Sequence, residues 1–315
     1  MPFFNFFQKN DIVNRNFCFD LEIYTQKVYL GISAIKLLKN NQKGKVGFIM
    51  RLAEQIGLAL GSLQDVEVDE GLKKASEHGY LAVEISGDES FSDLGLRGLW
   101  PWERRIWNHI KPLLKPFHFK AYHSPYANLN FLTLNPVIRD AALEQIKASI
   151  DIAEEMGLSP VIVHPGIPRE DMDTRVLDFL ITTFLGELAA YAEEKKVKVA
   201  IETCEYFSDL SVLKEYIAKI DSPYLGICLD LEETMVEFNE LDNDSLCEFI
   251  RSISGKLFHV RLHGMDTKWA NGRLNYEEVC KTLIRENYNG AVIFHILTEE
   301  IDNINKTRDV IYKVG

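Results

Sequence analysis

An eight-stranded parallel barrel wrapped by helices, a (β/α)₈ TIM barrel with an N-terminal extension, is the fold class this sequence predicts. Three observations predict it. Seven β-rich runs alternate with helical segments from about residue 80 onward, the helices carry start and stop signals, and ionisable side chains recur at one end of the runs. Strands alternating with helices form a parallel sheet with the helices outside, and one further strand upstream closes it into a barrel.

The runs are Leu81–Ser86, His118–His123, Pro160–His164, Val197–Glu202, Tyr224–Asp230, Leu257–His263 and Ala291–Ile296. The segment from Asn135 to Gly157 shows the helical logic. Asn135 caps, Pro136 suits the first helical position, Ile138, Ala142, Ile146, Ile150 and Ala153 share a stripe, and Gly157 stops it. Similar helices are predicted at 69–78, 174–195, 209–219, 244–254, 275–287 and 299–313.

Two runs compete for the first strand. Ile56–Leu63 directly precedes the helix at 69–78, whereas Val28–Ile35 has the stronger strand composition but leaves an awkward insertion of about 30 residues. Composition favours Val28–Ile35. That choice gives one barrel domain over 28–315 and an extension over 1–27 that packs across the barrel bottom or contacts a partner.

Bulk properties narrow the function. In 315 residues, 46% hydrophobic and 26% charged, the balance is that of an ordinary soluble domain. A formal charge of −12 argues against nucleic acid as a partner, because holding phosphates needs clustered Lys and Arg. Cys18, Cys204, Cys228, Cys247 and Cys280 are scattered and odd in number, which speaks against a disulfide framework or a Cys-type zinc site. No run approaches the ~18 apolar residues of a membrane span, and no secretory leader is visible, so the expectation is a cytoplasmic protein with a small-molecule substrate. A homo-oligomer is left open.

Because every second strand residue points into a barrel, the polar residues can be placed. Gly226, Cys228 and Asp230 form one face of the sixth strand and Leu225, Ile227 and Leu229 the other; Ala291, Ile293 and His295 are the inner set of the eighth. His123, His164, Glu202, Asp230, His263 and His295 then gather at or near C-terminal strand ends, the rim where barrel enzymes keep their chemistry, and the second strand contributes Glu84. A lone strand His is more often a hydrogen-bonded core residue, and His118 and His259 are read so. Glu84 is expected either at the site or in a salt bridge to Arg261.

These motifs resemble the xylose-isomerase-like barrel superfamily, which includes sugar isomerases, ketose 3-epimerases and endonuclease IV. The pieces that carry the likeness are Tyr122-His123-Ser124-Pro125-Tyr126-Ala127-Asn128-Leu129, Val163-His164-Pro165-Gly166, Ile201-Glu202-Thr203, Cys228-Leu229-Asp230, His259-Val260-Arg261-Leu262-His263 and Gly290-Ala291-Val292-Ile293-Phe294-His295. The resemblance implies a divalent metal held by Glu on strand five, Asp on six, His on seven and Glu on eight. Glu202 and Asp230 match. Arg261 stands where the strand-seven His belongs, His263 follows two residues later, His295 replaces the strand-eight Glu, and Glu233 stands where a His is common. A zinc, manganese or magnesium ion would then rest on Glu202, Asp230, His263 and His295. Arg261 would work against it by placing a fixed positive charge beside it.

The function that follows is isomerisation or epimerisation of a small sugar- or polyol-like carbonyl compound by proton transfer. Glu202 is expected as base, His295 as opposing acid, and Arg261 with His263 as carbonyl polarisers if no metal binds. His123, His164, Glu84, Glu233 and Trp269 are expected to line the substrate pocket. Trp102 and Trp107 are read as helix-packing or partner contacts. The competing class is a metal-free, non-catalytic barrel that only binds a ligand. An endonuclease IV-like repair enzyme fits less well, because the loop Thr267–Gly272 lacks the Asp-x-His of that group.

Overall fold

The computed structural model describes residues 54–63, 66–87, 99–127, 129–237, 242–263 and 274–296, with Leu52, Ile301, Asp302, Ile304, Asn305 and Arg308. Eight strands close into one barrel in sequence order: β1 (Ile56–Ala59), β2 (Ala82–Ser86), β3 (Phe119–His123), β4 (Val161–Val163), β5 (Val199–Glu202), β6 (Leu225–Asp230), β7 (Leu257–Leu262) and β8 (Ala291–Phe294). Every neighbouring pair is parallel, and β1 closes the ring on β8 through the register Ile56 to Val292. The seven runs from residue 81 onward all hold their strands, each one or two residues shorter than predicted.

The first strand departs from the expectation. It is Ile56–Ala59, not Val28–Ile35, which lies outside the described residues. Connection length decided against composition. A short turn at Leu60–Ser62 leads from Ala59 almost directly into α1 (Val68–Glu77), so no long insertion is needed.

Between the strands run α2 (Arg104–Ile110), α3 (Pro136–Met156), α4 (Thr174–Lys195), α5 (Leu210–Ile220), α6 (Leu231–Glu237), α7 (Asn243–Ser252) and α8 (Tyr276–Arg285). Their starts follow the expected chemistry. Asn135, Asp173, Asp209, Asp242 and Asn275 each accept a backbone N–H of the helix they precede. Gly157 ends α3 in the left-handed conformation at φ 69°. Only scattered residues of the predicted 299–313 helix are described.

Two apolar zones hold the barrel. The larger lies between sheet and helices, and includes Ile227, Leu229, Val292 and Phe294 on the outward strand faces. Trp107 of α2 is fully buried there, edge-on to Tyr122 and donating its indole N–H to the Trp100 carbonyl, so it serves helix packing. Trp102 is 57% exposed and stacks on Trp100.

The second zone plugs the interior from below. Ala121, Ile162, Ala200, Cys228 and Phe258 form one group, and Ala59, Ala82, Ala291 and Ile293 another. A register shift between Ile227 and Cys228 turns the Phe258 ring inward, against Gly226. A Cβ on Gly226 would collide with that ring and with the Lys256 carbonyl, so the residue there has to be small. With its lower half filled by hydrocarbon, the barrel leaves its polar groups only the upper half.

Candidate active site

The polar cluster is built from the ends of β2, β3, β5, β6, β7 and β8. Arg261 is at its centre. From β7 it donates to Glu202 Oε1 of β5, lies 3.5 Å from Glu84 Oε1 of β2, and lies 3.7 Å from Asp230 Oδ2 of β6. All four side chains are at least nine-tenths buried. Buried charges require partners of this quality, because leaving one unpaired in a dry interior costs several kcal/mol.

Below Arg261, His259 Nε2 contacts Glu84 Oε2 at 2.8 Å with neither side chain exposed beyond 2%. Burial opposes ionisation of Glu84, but Arg261 and then His259 overcome it and bring its pKa to about 2. Glu84 therefore makes the salt bridge to Arg261 that was one of its two expected roles, and His259 is the hydrogen-bonded core residue anticipated. His118 is exposed, just before β3 begins, and belongs to neither class.

On the other side, His123 Nε2 faces Glu202 Oε2 at 3.2 Å, and its Nδ1 faces the Ser124 carbonyl at 3.0 Å. With an acceptor on each nitrogen the ring holds both protons, an imidazolium. Burial works against that charge, yet the Glu202 carboxylate raises the His123 pKa above its ordinary value. Glu202 in turn stays ionised. Burial would raise its pKa, but Arg261 and His123 hold it well below the usual carboxylate range.

Asp230 ends β6 and begins the next helix in the same step. Its carboxylate accepts the Glu233 N–H at 3.0 Å, and its backbone is pinned by Thr203 and Thr234 hydroxyls. Its Oδ2 also takes His263 Nε2 at 2.8 Å. Burial disfavours charge on His263, but this contact lifts its pKa to about 9. His295 behaves in the opposite way. Burial, the Arg261 charge and the His263 charge hold its pKa well below normal, and its Nδ1 has no hydrogen-bond partner among the described residues. The two rings meet edge to face, centroids 5.0 Å apart at 85°.

His164 follows β4, held there by a turn in which Gly166 has φ 75° and packs on the Asn130 side chain too closely for a Cβ. Its ring stacks on Tyr126 at 5.0 Å, and Tyr126 meets His123 edge-on at 5.4 Å. Glu233 is exposed on α6, and among the described carboxylates it is Glu84, Glu202 and Asp230 that contact Arg261. Trp269 lies outside the described residues.

One site residue escaped the sequence reading. Glu232 is 98% buried, takes the Tyr276 hydroxyl on Oε1, and leaves Oε2 without a partner among the described residues. Burial, then the Asp230 charge, pushes its pKa up to about 7. The signal was helical phase. Because α6 starts at Leu231, immediately after the strand, Glu232 turns inward and Glu233 outward.

Donor atoms that could hold a metal ion lie within 4.8 Å of one another in two groups, His164–Glu202–Cys204 and Asp230–Glu232–His263. The place that the resemblance assigns to a metal, between Glu202 and Asp230, does not fit one. The Arg261 guanidinium reaches both carboxylates there.

A closed parallel barrel with its ionisable groups at the C-terminal mouth is a (β/α)₈ scaffold. The sequence is matched over residues 72–313 by the family described as xylose isomerase-like TIM barrel, and the chain belongs to that family. It is 27% identical over 255 residues to an uncharacterized protein of Methanocaldococcus jannaschii, covering 76% of this chain and 82% of that one. A protein named probable endonuclease 4 of Mycoplasma pneumoniae is 28% identical over 143 residues, 43% of this chain and 47% of that one. Among solved structures, a D-tagatose 3-epimerase-like protein superposes with a TM-score of 0.68 at 22% identity, covering 82% of this chain and 96% of that one. A D-psicose 3-epimerase solved in the presence of D-fructose gives 0.60 at 13%, covering 82% and 96%. At these identities the structural likeness speaks for the fold. Among the described residues, no helix is long and apolar enough to cross a membrane.

Proposed function

We propose that this protein is an isomerase or epimerase of a small sugar- or polyol-like carbonyl compound, working by proton transfer at the carbon beside the carbonyl. The observation that carries the reading is the His263–His295 pair. Two imidazoles lie 5.0 Å apart at the barrel mouth, one ion-paired to Asp230 and the other in the field of the Arg261 cation, its Nδ1 without a hydrogen-bond partner among the described residues. Environments that push two titratable groups apart in this way separate an acid from a base.

The roles expected from sequence are exchanged in this reading. Glu202, with one oxygen on Arg261 and the other on His123, serves to fix those cations. His295, neutral near pH 7, takes the proton from carbon. His263, charged at that pH, hydrogen-bonds the carbonyl oxygen as negative charge grows on it. Arg261 beneath them adds a preorganised positive field, on the order of 3 kcal/mol for a donor placed on developing oxyanion charge. Returning the proton to the former carbonyl carbon, while the hydroxyl proton passes from the neighbouring oxygen to the old carbonyl oxygen, completes an isomerisation; a proton delivered from water to the opposite face of the same carbon completes an epimerisation. The C-terminal mouth and the sugar epimerases among the structural neighbours support this reaction class.

The test is solvent hydrogen exchange. Incubated in D₂O with a panel of unphosphorylated ketoses and aldoses, the protein is expected to place deuterium at the carbon beside the carbonyl of one of them. His295→Asn should abolish the exchange while leaving ligand binding within about threefold. Binding of a sugar without any exchange would instead establish the ligand-binding barrel.

A further inference from the structure

We propose that Arg261 is a covalently attached replacement for a divalent cation, so that the Glu202–Asp230 pair works without a metal and a single substitution at 261 turns it into a metal site. The inference rests on the geometry around Arg261 and holds whether or not the catalytic reading does.

Position is the first support. A cation that bridges a strand-five Glu and a strand-six Asp must sit between their carboxylates, and the Arg261 guanidinium reaches both from β7. Its other terminal nitrogen lies 3.5 Å from Glu84, which is itself held from below by His259 at 2.8 Å. The head group is therefore fixed from three strands. A planar fork with five donors suits such a three-carboxylate cage, and it remains charged at any pH the protein survives.

Charge is the second support. Glu84, Glu202 and Asp230 supply three negative charges, and each already has a cation or imidazole at hydrogen-bond or ion-pair distance: Arg261 with His259, Arg261 with His123, and His263 with Arg261. A divalent ion entering this cluster would bring two positive charges close to a guanidinium that cannot release its proton. Repulsion at that range in a buried setting is far larger than in water. The ion would also have to detach Glu202 from two partners.

The third support is the neighbouring donor set. With Arg261 shortened to an imidazole, the Glu202 and Asp230 carboxylates that its head group now reaches would offer two oxygens to the vacated space, and the new His would add a nitrogen. Zinc and manganese accept such a set. The same substitution deletes the one permanent cation of the cluster, so the carboxylates are left needing a positive charge that a metal can bring.

The experiment compares the full chain and its Arg261→His variant, both stripped with chelator, in equilibrium dialysis against Mn²⁺ alone and Zn²⁺ alone. The variant is expected to take up one ion per chain at least about tenfold more tightly than the wild type, the scale on which a single supporting contact tunes a metal site. Adding Glu202→Gln to the variant should remove that gain. If the variant fails to fold without metal, the double variant Glu84→Gln/Arg261→His, which carries less buried negative charge, is used for the same titration. A wild-type chain that binds one ion as tightly as the variant, or variants that bind no better than wild type, would overturn the proposal.

Discussion

Glu202 of β5 accepts two cations at once, the Arg261 guanidinium on Oε1 and the His123 imidazolium on Oε2 at 3.2 Å. Each oxygen is already committed to a positive charge. The residue that the sequence singles out most strongly as a base is, in the folded chain, the anchor for the two positive charges beside it.

Removing that anchor should be costly. Glu202→Gln leaves Arg261 and His123 buried with one carboxylate fewer, and breaking a buried pair in this way typically costs about 3–5 kcal/mol. Urea denaturation at pH 7 should show a loss of that size. A loss below about 1 kcal/mol would mean that the pair is solvated or formed differently.

The anchor was legible in the sequence as a carboxylate on an inward strand position, but its partners were not. Period-two alternation puts Glu84, Glu202, Asp230, Arg261, His263 and His295 on the inner face. Which of them touch depends on the stagger between strands, and the register shift at Ile227/Cys228 is not written in any local pattern. The same shift brings Phe258 inside although it neighbours the inward His259. The first strand was misplaced because composition outweighed connection length, and Glu232 was missed because α6 begins without a turn.

The His263–Asp230 contact makes stability depend on pH at the alkaline end. The His263 pKa rises from 6.5 unfolded to about 9 folded, so its contribution is complete below pH 6.5 and is lost as pH climbs to about 9. The change amounts to roughly 3 kcal/mol. Thermal melts of wild type and His263→Gln between those limits should converge as pH increases. Parallel curves would show that the imidazole is not charged by Asp230.

Glu232 should give a second pH dependence, centred lower. Its folded pKa of about 7 lies above the ordinary 4.5 of the unfolded chain, so the native state holds a proton that the unfolded chain gives up. Stability therefore declines as pH rises from 4.5 through 7, by roughly 3 kcal/mol, and Glu232→Gln should flatten that decline. A variant that tracks wild type across this window would refute the assignment.

The hydrocarbon plug is a structural control separate from the chemistry. Phe258→Ala opens a cavity beside Gly226 and should cost about 3–5 kcal/mol while leaving the pKa of His263 unchanged. A shifted imidazole titration in this variant would couple the barrel floor to the site.

The most direct test of the whole account is an NMR titration of the imidazole rings of His263 and His295 in the intact protein. The account predicts that at pH 7.5 the His263 ring carries both protons, with its midpoint near 9, while the His295 ring is neutral and stays so well below 6.5. Finding the reverse order, or a shared midpoint for the two rings, would contradict it.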